Sequence, residues 1–564
     1  MTTKKNINIS IVKIFIVLFA FIGTQNIVYS QKPQYTEEIT IIGSYKPSIQ
    51  DSYRINTNPV INDLEKQIPK LSYSITSTKA KTTIVPKDID HERTIRKPKQ
   101  KLLGNYVKIG FGNYKTPYLE FFANTLQSKK FALGVHLKHL SSMGEIKNHP
   151  LSTFSNSLAG LSVKKLYKKH TLSGELSYKH DVVHYYNLEQ NVFDSLDWKD
   201  DKFKQRFQLF KAKLGLNSNY NKKGKLNHSF DFNYYYLTDY YSTSEQNAFF
   251  KTNININFEL FNSKDIQRFG VLAEIDAFIN KDSLTENMDQ IARIQPYIKA
   301  TFGKYRVYFG INTTVPFDTT KNISLFPIIK AEVEVVPKSL IAYIGTKGNH
   351  NKNSFKILYE QNPFISSIMP LEYSKNKFEV YGGIMGNIEN IVNYSFMISS
   401  SKIENMPFFV NDTNGVLLDK FSLVYDTADI IHVQGEISYQ SKDNLRIILK
   451  GDYYNFELGN ELQPWYRPQL EASIGFNVTV LEKLILKGSF GAYSKMYSNR
   501  PEVGEITPKE IDGWVDLSFG AEYKFSQKLS AFVNLNNVMN SQYKKWDNYP
   551  LQKFNFLGGL TYSF

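Results

Sequence analysis

Histidine is the residue type here best able to hold a metal or move a proton, and the spacing of the ten histidines argues against both. His136 and His139 stand three apart in a segment of alternating character, so on a strand they face opposite ways and cannot share an ion. His180 and His184 share a face but lie about 13 Å apart along it. The 564 residues include no cysteine, which removes thiolate metal sites, disulfides, cysteine nucleophiles and a lipid-anchoring cysteine. There is no glycine-rich phosphate loop, zinc-protease motif or nucleophile elbow. No catalytic residue, metal site or cofactor is therefore expected. Two other groups of residues stand out. The clusters Tyr185-Tyr186, Tyr234-Tyr235-Tyr236 and Tyr240-Tyr241 suit either a stacking platform for a ligand or a membrane boundary, with the ring in the apolar zone and the hydroxyl wet. The boundary is the favoured reading. Glu37-Glu38-Ile39-Thr40-Ile41-Ile42 is a β-prone run behind two acids. Such a run adds as a strand to another protein's sheet edge, or forms an edge strand of its own.

The elements that must carry these residues are strands. Leu103, Val107, Ile109 and Phe111 alternate with Tyr106, Lys108, Gly110 and Gly112. Leu172, Gly174, Leu176 and Tyr178 alternate with Ser173, Glu175, Ser177 and Lys179. The same period of two runs from Ile511 to Ser526. Many such segments exceed the roughly 5–6 residues of a globular strand and reach the roughly 9–11 that a tilted membrane strand needs. Aromatic residues make up 14% of the chain, with 37 Tyr and 40 Phe, yet the mean hydropathy is −0.35. A helical membrane protein would show several apolar runs of about 20 residues. A barrel with an apolar outer face, a polar lumen and aromatic rims has this composition. The net charge of +15 comes largely from lysines in short turns rather than from an arginine-rich tract or a basic helix. Nucleic acid is not an expected partner, whereas outer-membrane lipid and lipopolysaccharide are.

Three regions are expected. Residues 1–30 read as a cleaved signal peptide: Lys4 and Lys5, an apolar core over Ile11–Ile22, then small residues Val28 and Ser30 before Gln31. Residues 31–102 carry Pro33, Pro47, Pro59, Pro69, Pro86 and Pro98, many charges and little periodicity, and read as a short, extended periplasmic segment. Residues 103–564 read as a transmembrane antiparallel β-barrel, an all-β membrane fold. Its connectors alternate. Ten are short and lysine-rich, such as Lys168-Lys169-His170, Pro337-Lys338-Ser339 and Ser526-Gln527-Lys528. Eleven lie between them and are mostly longer, so that about 22 strands are predicted, with both barrel ends in the periplasm. The longest outer connectors, Asn349–Lys375 with Asn362-Pro363-Phe364, and Ile403–Asp419, are where an external ligand would be sought. Phe355–Gln361 suits an extra strand or part of its loop.

The last strand places Phe556, Leu560, Tyr562 and Phe564 on one face. It resembles the terminal signal read by the bacterial barrel-assembly machinery. Asn534-Leu535-Asn536-Asn537-Val538-Met539-Asn540, Tyr543, Tyr549-Pro550 and the closing Gly558-Gly559-Leu560-Thr561-Tyr562-Ser563-Phe564 resemble the barrel end of TonB-dependent outer-membrane receptors. Glu37-Glu38-Ile39-Thr40-Ile41-Ile42-Gly43-Ser44-Tyr45-Lys46-Pro47 resembles the mature N-terminus of such receptors of the Bacteroidetes type, with its run similar to the TonB box. The resemblance implies a Gram-negative outer membrane, a 22-stranded barrel, TonB or a surface lipoprotein as partner, and uptake of a substrate too large or scarce for porins. It also implies a plug domain, and residues 31–102 are too short and not plug-like. A non-transporting barrel that scaffolds lipoprotein or periplasmic partners is the alternative expectation.

Overall fold

The computed structural model describes residues 104–564, except 126–129, 150, 188–202, 219, 221–223, 260–264, 266, 318–321, 413–418, 442–443 and 500–507. The signal peptide, the segment 31–102 and the run Glu37–Ile42 lie outside the described residues, as does the loop Asn191–Asp201.

Among the described residues, 22 strands form one closed antiparallel sheet. Each strand pairs with its neighbours in the chain. The closing strand Asn555–Ser563 pairs on one side with Leu529–Asn536 and on the other with the first strand, Tyr106–Gly112. In that seam Tyr106 lies opposite Ser563 and Gly112 opposite Leu557. Gly559 faces Gly110 across it, and a Cβ on Gly559 would collide with the Ile109 carbonyl oxygen. No described helix is long and apolar enough to cross a membrane.

Closure satisfies every wall strand's ladder, which is what lets a sheet sit in hydrocarbon. The alternation then sorts side chains. Ile109 and Phe111 are about 60% exposed on the outside (58% and 61%), while Tyr106 and Lys108 point in and are buried. The outer stripe continues around the barrel through residues such as Leu137, Leu214, Ile275, Ile344 and Ile398, all exposed. Because consecutive wall strands are antiparallel, successive connectors alternate between the two rims, and among the described residues turns such as Lys168-Lys169 and Lys338-Ser339 lie on the same rim, as the sequence predicts.

The long-loop end departs from the expected pattern. Val392–Asn411 and Phe421–Ser441 run to 20 and 21 residues, twice what a membrane crossing requires. Their upper part continues across a bulge between Ile403 and Met406, where Asn405 has a positive φ of 52°. Ile403–Asn411 is therefore strand, not loop. Further register shifts fall at Asn376/Phe378 and Lys347/Asn349 on the adjoining strands. A bulge bends the strand that carries it. Phe355–Gln361 is a helix rather than a strand. The run from Ile511 is broken at Gly513: Pro508–Ile511 pairs with Met496–Asn499 in a separate two-stranded ribbon, and the wall strand is Trp514–Lys524.

Candidate functional site: a capped mouth above a polar lumen

The segment 353–372 does not project outward. Its helix packs against the inner wall, where Tyr359 stacks on Phe207 at 4.4 Å and Phe355 leans on the same ring. The helix start is held twice. Ser354 is the N-cap and its hydroxyl accepts from the Ile357 amide at 3.2 Å. Glu245, fully buried on the wall, accepts from the amides of Phe355 (2.7 Å) and Lys356 (3.0 Å) and from the Tyr235 hydroxyl (2.7 Å). A carboxylate against free helix amides is favourable because those donors have no partner within the helix. Further along, Asp239 accepts from Ser367, from Gln205 Nε2 at 3.1 Å and from the amides of Tyr241 and Thr243. The Tyr185 hydroxyl donates to the Ile365 carbonyl at 3.1 Å.

These contacts build an aromatic core across the mouth. Phe364 stacks on Tyr549 at 3.8 Å, and Tyr186 meets both edge-on. Phe421, Tyr466 and Trp546 pack mutually at 5.1–5.3 Å. Tyr186 donates to the Pro550 carbonyl, Tyr466 to Asn411, and Tyr549 to the Asp419 carbonyl. Trp465, Phe408 and Ile365 are buried beside them. The segments around Tyr186, Phe364, Phe421, Tyr466 and Trp546, far apart in the chain, therefore share one hydrophobic core inside the barrel end. Each buried ring contributes on the order of 2–3 kcal/mol by removal from water.

The ionisable groups of the cap loops follow from this burial. Burial pushes the Tyr185 and Tyr186 phenols up, so they act as donors. Burial also raises the carboxyls of Asp239 and Asp419, against the hydrogen bonds that Asp239 accepts and the charge of Lys420 beside Asp419. Burial opposes ionisation of Glu360 too, but Lys356 at 2.7 Å, with Lys211 and Lys179, outweighs it and holds this carboxyl below its ordinary value.

Beneath the cap, toward the short-turn rim, lies a cavity of about 1320 Å³. Its wall carries Lys213, Asp231, Lys251, Arg268, Tyr297 and Lys299. Much of this charge is paired along the wall: Lys213 with Glu175 at 3.1 Å, Lys251 with Glu274 at 3.2 Å. A smaller cavity of about 350 Å³ sits near the mouth between Thr153, His184, Phe364, Asn537 and Tyr543.

The residues singled out by sequence separate accordingly. Phe556, Leu560, Tyr562 and Phe564 are all exposed on the outer face. His136 pairs with Glu120 at 2.9 Å, while His139 bonds Ser157 at 2.8 Å. No group of three potential ligands able to hold a metal occurs among the described residues. Tyr236 is exposed on the outer face, as a girdle requires, but Tyr185 and Tyr186 belong to the cap and Tyr235 points inward to Glu245. The expected ligand-seeking excursion Asn349–Lys375 is instead the cap's keystone, because its apolar residues Phe355, Leu358, Phe364 and Ile365 have no lipid to face above the membrane and turn into the barrel. A signal was present: Trp465, Trp546 and Tyr549 are large aromatics inside loops, and rings of that size in water-facing segments demand a core.

No family model matches the chain, and no curated protein does. Solved structures do match in fold. The siderophore receptor PirA from Acinetobacter baumannii aligns with a TM-score of 0.61 at 12% identity, over 82% of this chain and 80% of that one. The FrpB iron transporter from Neisseria meningitidis gives 0.59 at 9%, over 82% of each chain. FpvA of Pseudomonas aeruginosa, bound to a pyoverdine, gives 0.58 at 13%, over 82% and 71%. The barrel thus has the fold of outer-membrane receptors.

Proposed function

We propose that this chain is a TonB-dependent-receptor-like protein that binds a substrate at the outer membrane and imports it. The observation that carries the reading is a 22-stranded barrel closed at the mouth by its own loops above a polar cavity. A general diffusion pore has no use for a cap with a packed core, whereas a receptor that admits one scarce solute does. The neighbours in fold include a siderophore receptor and an iron transporter, which favours a solute of that size class. The short-turn rim faces the periplasm in this reading. Residues 31–102 gate the lumen there, and Glu37–Ile42 is the strand lent to TonB.

Two measurements test it. Cells dependent on this protein for uptake should lose uptake when Glu37–Ile42 is deleted, with the barrel still present in the membrane. In a planar bilayer the full chain should be silent and should conduct after removal of residues 31–102 together with loosening of the cap. Unchanged uptake after the first deletion sinks the TonB coupling. Silence under all conditions leaves a barrel that only scaffolds its partners.

A further inference from the structure

The short-turn rim is not uniformly basic. One sector of it, at the turn after Phe154–Leu166 and the adjoining ends of Lys204–Ser218 and Leu226–Thr238, is poor in acid: the sequence has none between Glu145 and Glu175 or between Asp201 and Asp231, and Glu259 stands only at the end of the next strand. Elsewhere the same rim carries Asp265, Glu334, Glu389 and Glu482. Within the sector Lys165, Lys168, Lys169 and Lys225 are all exposed.

The side chains there lie in tiers. Lys165 sits 5.1 Å from the Tyr167 ring and Lys169 6.0 Å from that of Tyr220. Tyr220 meets His170 edge-on at 5.8 Å, His170 and His228 lie 5.3 Å apart, and Phe230 follows at 5.5 Å from His228. His170 precedes Leu172 by two residues, and His228 follows Leu226 by two, so these rings share the lipid-facing side with both leucines. Leu172 and Leu214, farther from the rim than the histidines, are 43% and 59% exposed, while Leu226 lies on the rim side of His228. From the Lys168-Lys169 turn inward the order is ammonium, then amphipathic ring, then aliphatic chain, with Lys165 reaching toward the Tyr167 ring from the level of Leu172. A phospholipid has the complementary order: phosphate, then glycerol and ester, then acyl chain.

We propose that this sector is a binding site for anionic phospholipid of the leaflet at the short-turn rim. The lysines take the phosphates, the tyrosine and histidine rings take the glycerol and ester region, and the leucines below take the first methylenes. An acidic protein docking from the aqueous side would use the lysines but not the leucine tier, which hydrocarbon already covers. The inference needs only that the barrel spans a membrane and is independent of transport.

The test is native mass spectrometry of the full chain in detergent, titrated with phosphatidylglycerol or phosphatidylcholine. Wild type should retain phosphatidylglycerol preferentially. Lys165→Gln/Lys168→Gln/Lys169→Gln/Lys225→Gln should lose at least about tenfold in that affinity, since each lysine near a lipid surface contributes appreciably. The control Lys304→Gln/Lys338→Gln/Lys483→Gln/Lys528→Gln removes equal charge from other turns and should keep it. Equal loss in both variants, or equal binding of the two lipids, overturns the proposal. Full displacement by inorganic phosphate makes this a phosphate site and also overturns it. Heat-modifiable migration checks that each variant is folded. Should the quadruple variant fail that check, Lys168→Gln and Lys169→Gln singly must each show a partial loss.

Discussion

Replacing Glu245 by Gln should unlatch the cap while leaving the barrel standing. The Glu245 carboxylate is fully buried and takes three donors: two helix amides at 2.7 and 3.0 Å and the Tyr235 hydroxyl at 2.7 Å. Glutamine keeps one acceptor oxygen, loses the charge, and turns an NH2 group toward donors. At least one charge-assisted bond is lost and a buried donor is stranded, at a cost of about 2–3 kcal/mol. If the loop 353–372 opens as a unit, that cost raises the open fraction on the order of 30- to 150-fold, since ~1.4 kcal/mol is a factor of ten. The chain has no cysteine, so one placed at Ile365, which is fully buried in the closed cap, reports opening by its rate of maleimide labelling. The rate should rise by that factor in Glu245→Gln. Ser354→Ala removes a single amide bond worth about 1 kcal/mol and should raise it only about fivefold. Heat-modifiable migration should not change, because no wall ladder is touched. An unchanged labelling rate, or a larger effect from Ser354→Ala, would refute the latch.

Three further outcomes are expected. The raised carboxyls of Asp239 and Asp419 stabilise the cap in their protonated form and cost stability as pH rises through their folded values, whereas the depressed Glu360 costs stability as pH falls through its own. Emission from Trp465 and Trp546 should therefore be bluest in a mildly acid window and shift red on both sides, with Asp239→Asn flattening the alkaline side; a monotonic profile would contradict this. Gly559→Val should block closure of the seam, seen as loss of the heat-modifiable band, since its Cβ meets the Ile109 carbonyl, while Gly451→Val, with open space around it, should be tolerated. Removing Phe564 should lower the yield of folded barrel without changing the migration of what does fold, and full yield would argue against a role for the terminal aromatic in assembly.

The wall was legible in the sequence because the bilayer imposes one simple condition on it. Ile109 and Phe111 must face lipid and Lys108 must not, and a period of two records that choice directly. The short turns were legible for a similar reason, being lysine-rich breaks between such runs. The cap was legible only as the hint given by the loop aromatics Trp465, Trp546 and Tyr549, because above the membrane there is no such condition. Tyr185 and Tyr236 are the same residue type at the ends of similar strands. One is buried in the mouth and the other lies against lipid, and only the packing of Ile365 and Tyr549 around the first decides it. Asn362-Pro363-Phe364 carries turn-favouring residues, but nothing local says that the turn points inward. Glu245 opens a strand as one of several polar residues. Its role depends on a helix more than a hundred residues away in sequence.

The way the cap is fastened indicates which part of it can move. The hairpin above the bulge, Met406–Asn411 against Phe421–Asp426, is bonded residue by residue and joins the wall strands across the bulge at Asn405. Opening it would mean breaking a backbone ladder or swinging the wall itself about Asn405. The loop 353–372 is attached differently. It meets that hairpin's Phe421 through only two backbone bonds, from Ser366 at 2.7 Å and to Phe364 at 3.0 Å. The rest of its hold is side chains, among them Glu245 at the helix start, Asp239 on Ser367, Tyr185 on Ile365, Tyr425 on Pro370 and the stack of Phe364 on Tyr549. Side-chain contacts of this kind can be exchanged for contacts with a bound solute, whereas a continuous ladder has no such substitute. A solute arriving at the mouth would compete for the Tyr186, Phe364 and Tyr549 rings and for the acceptors that hold the loop. The hairpin would stay as the fixed jaw. Two of the acceptors, Asp239 in a neighbouring connector and Glu245 on the wall, do not belong to the loop, so release of the loop leaves both at the mouth with free lone pairs, able to select for a solute that brings donors of its own.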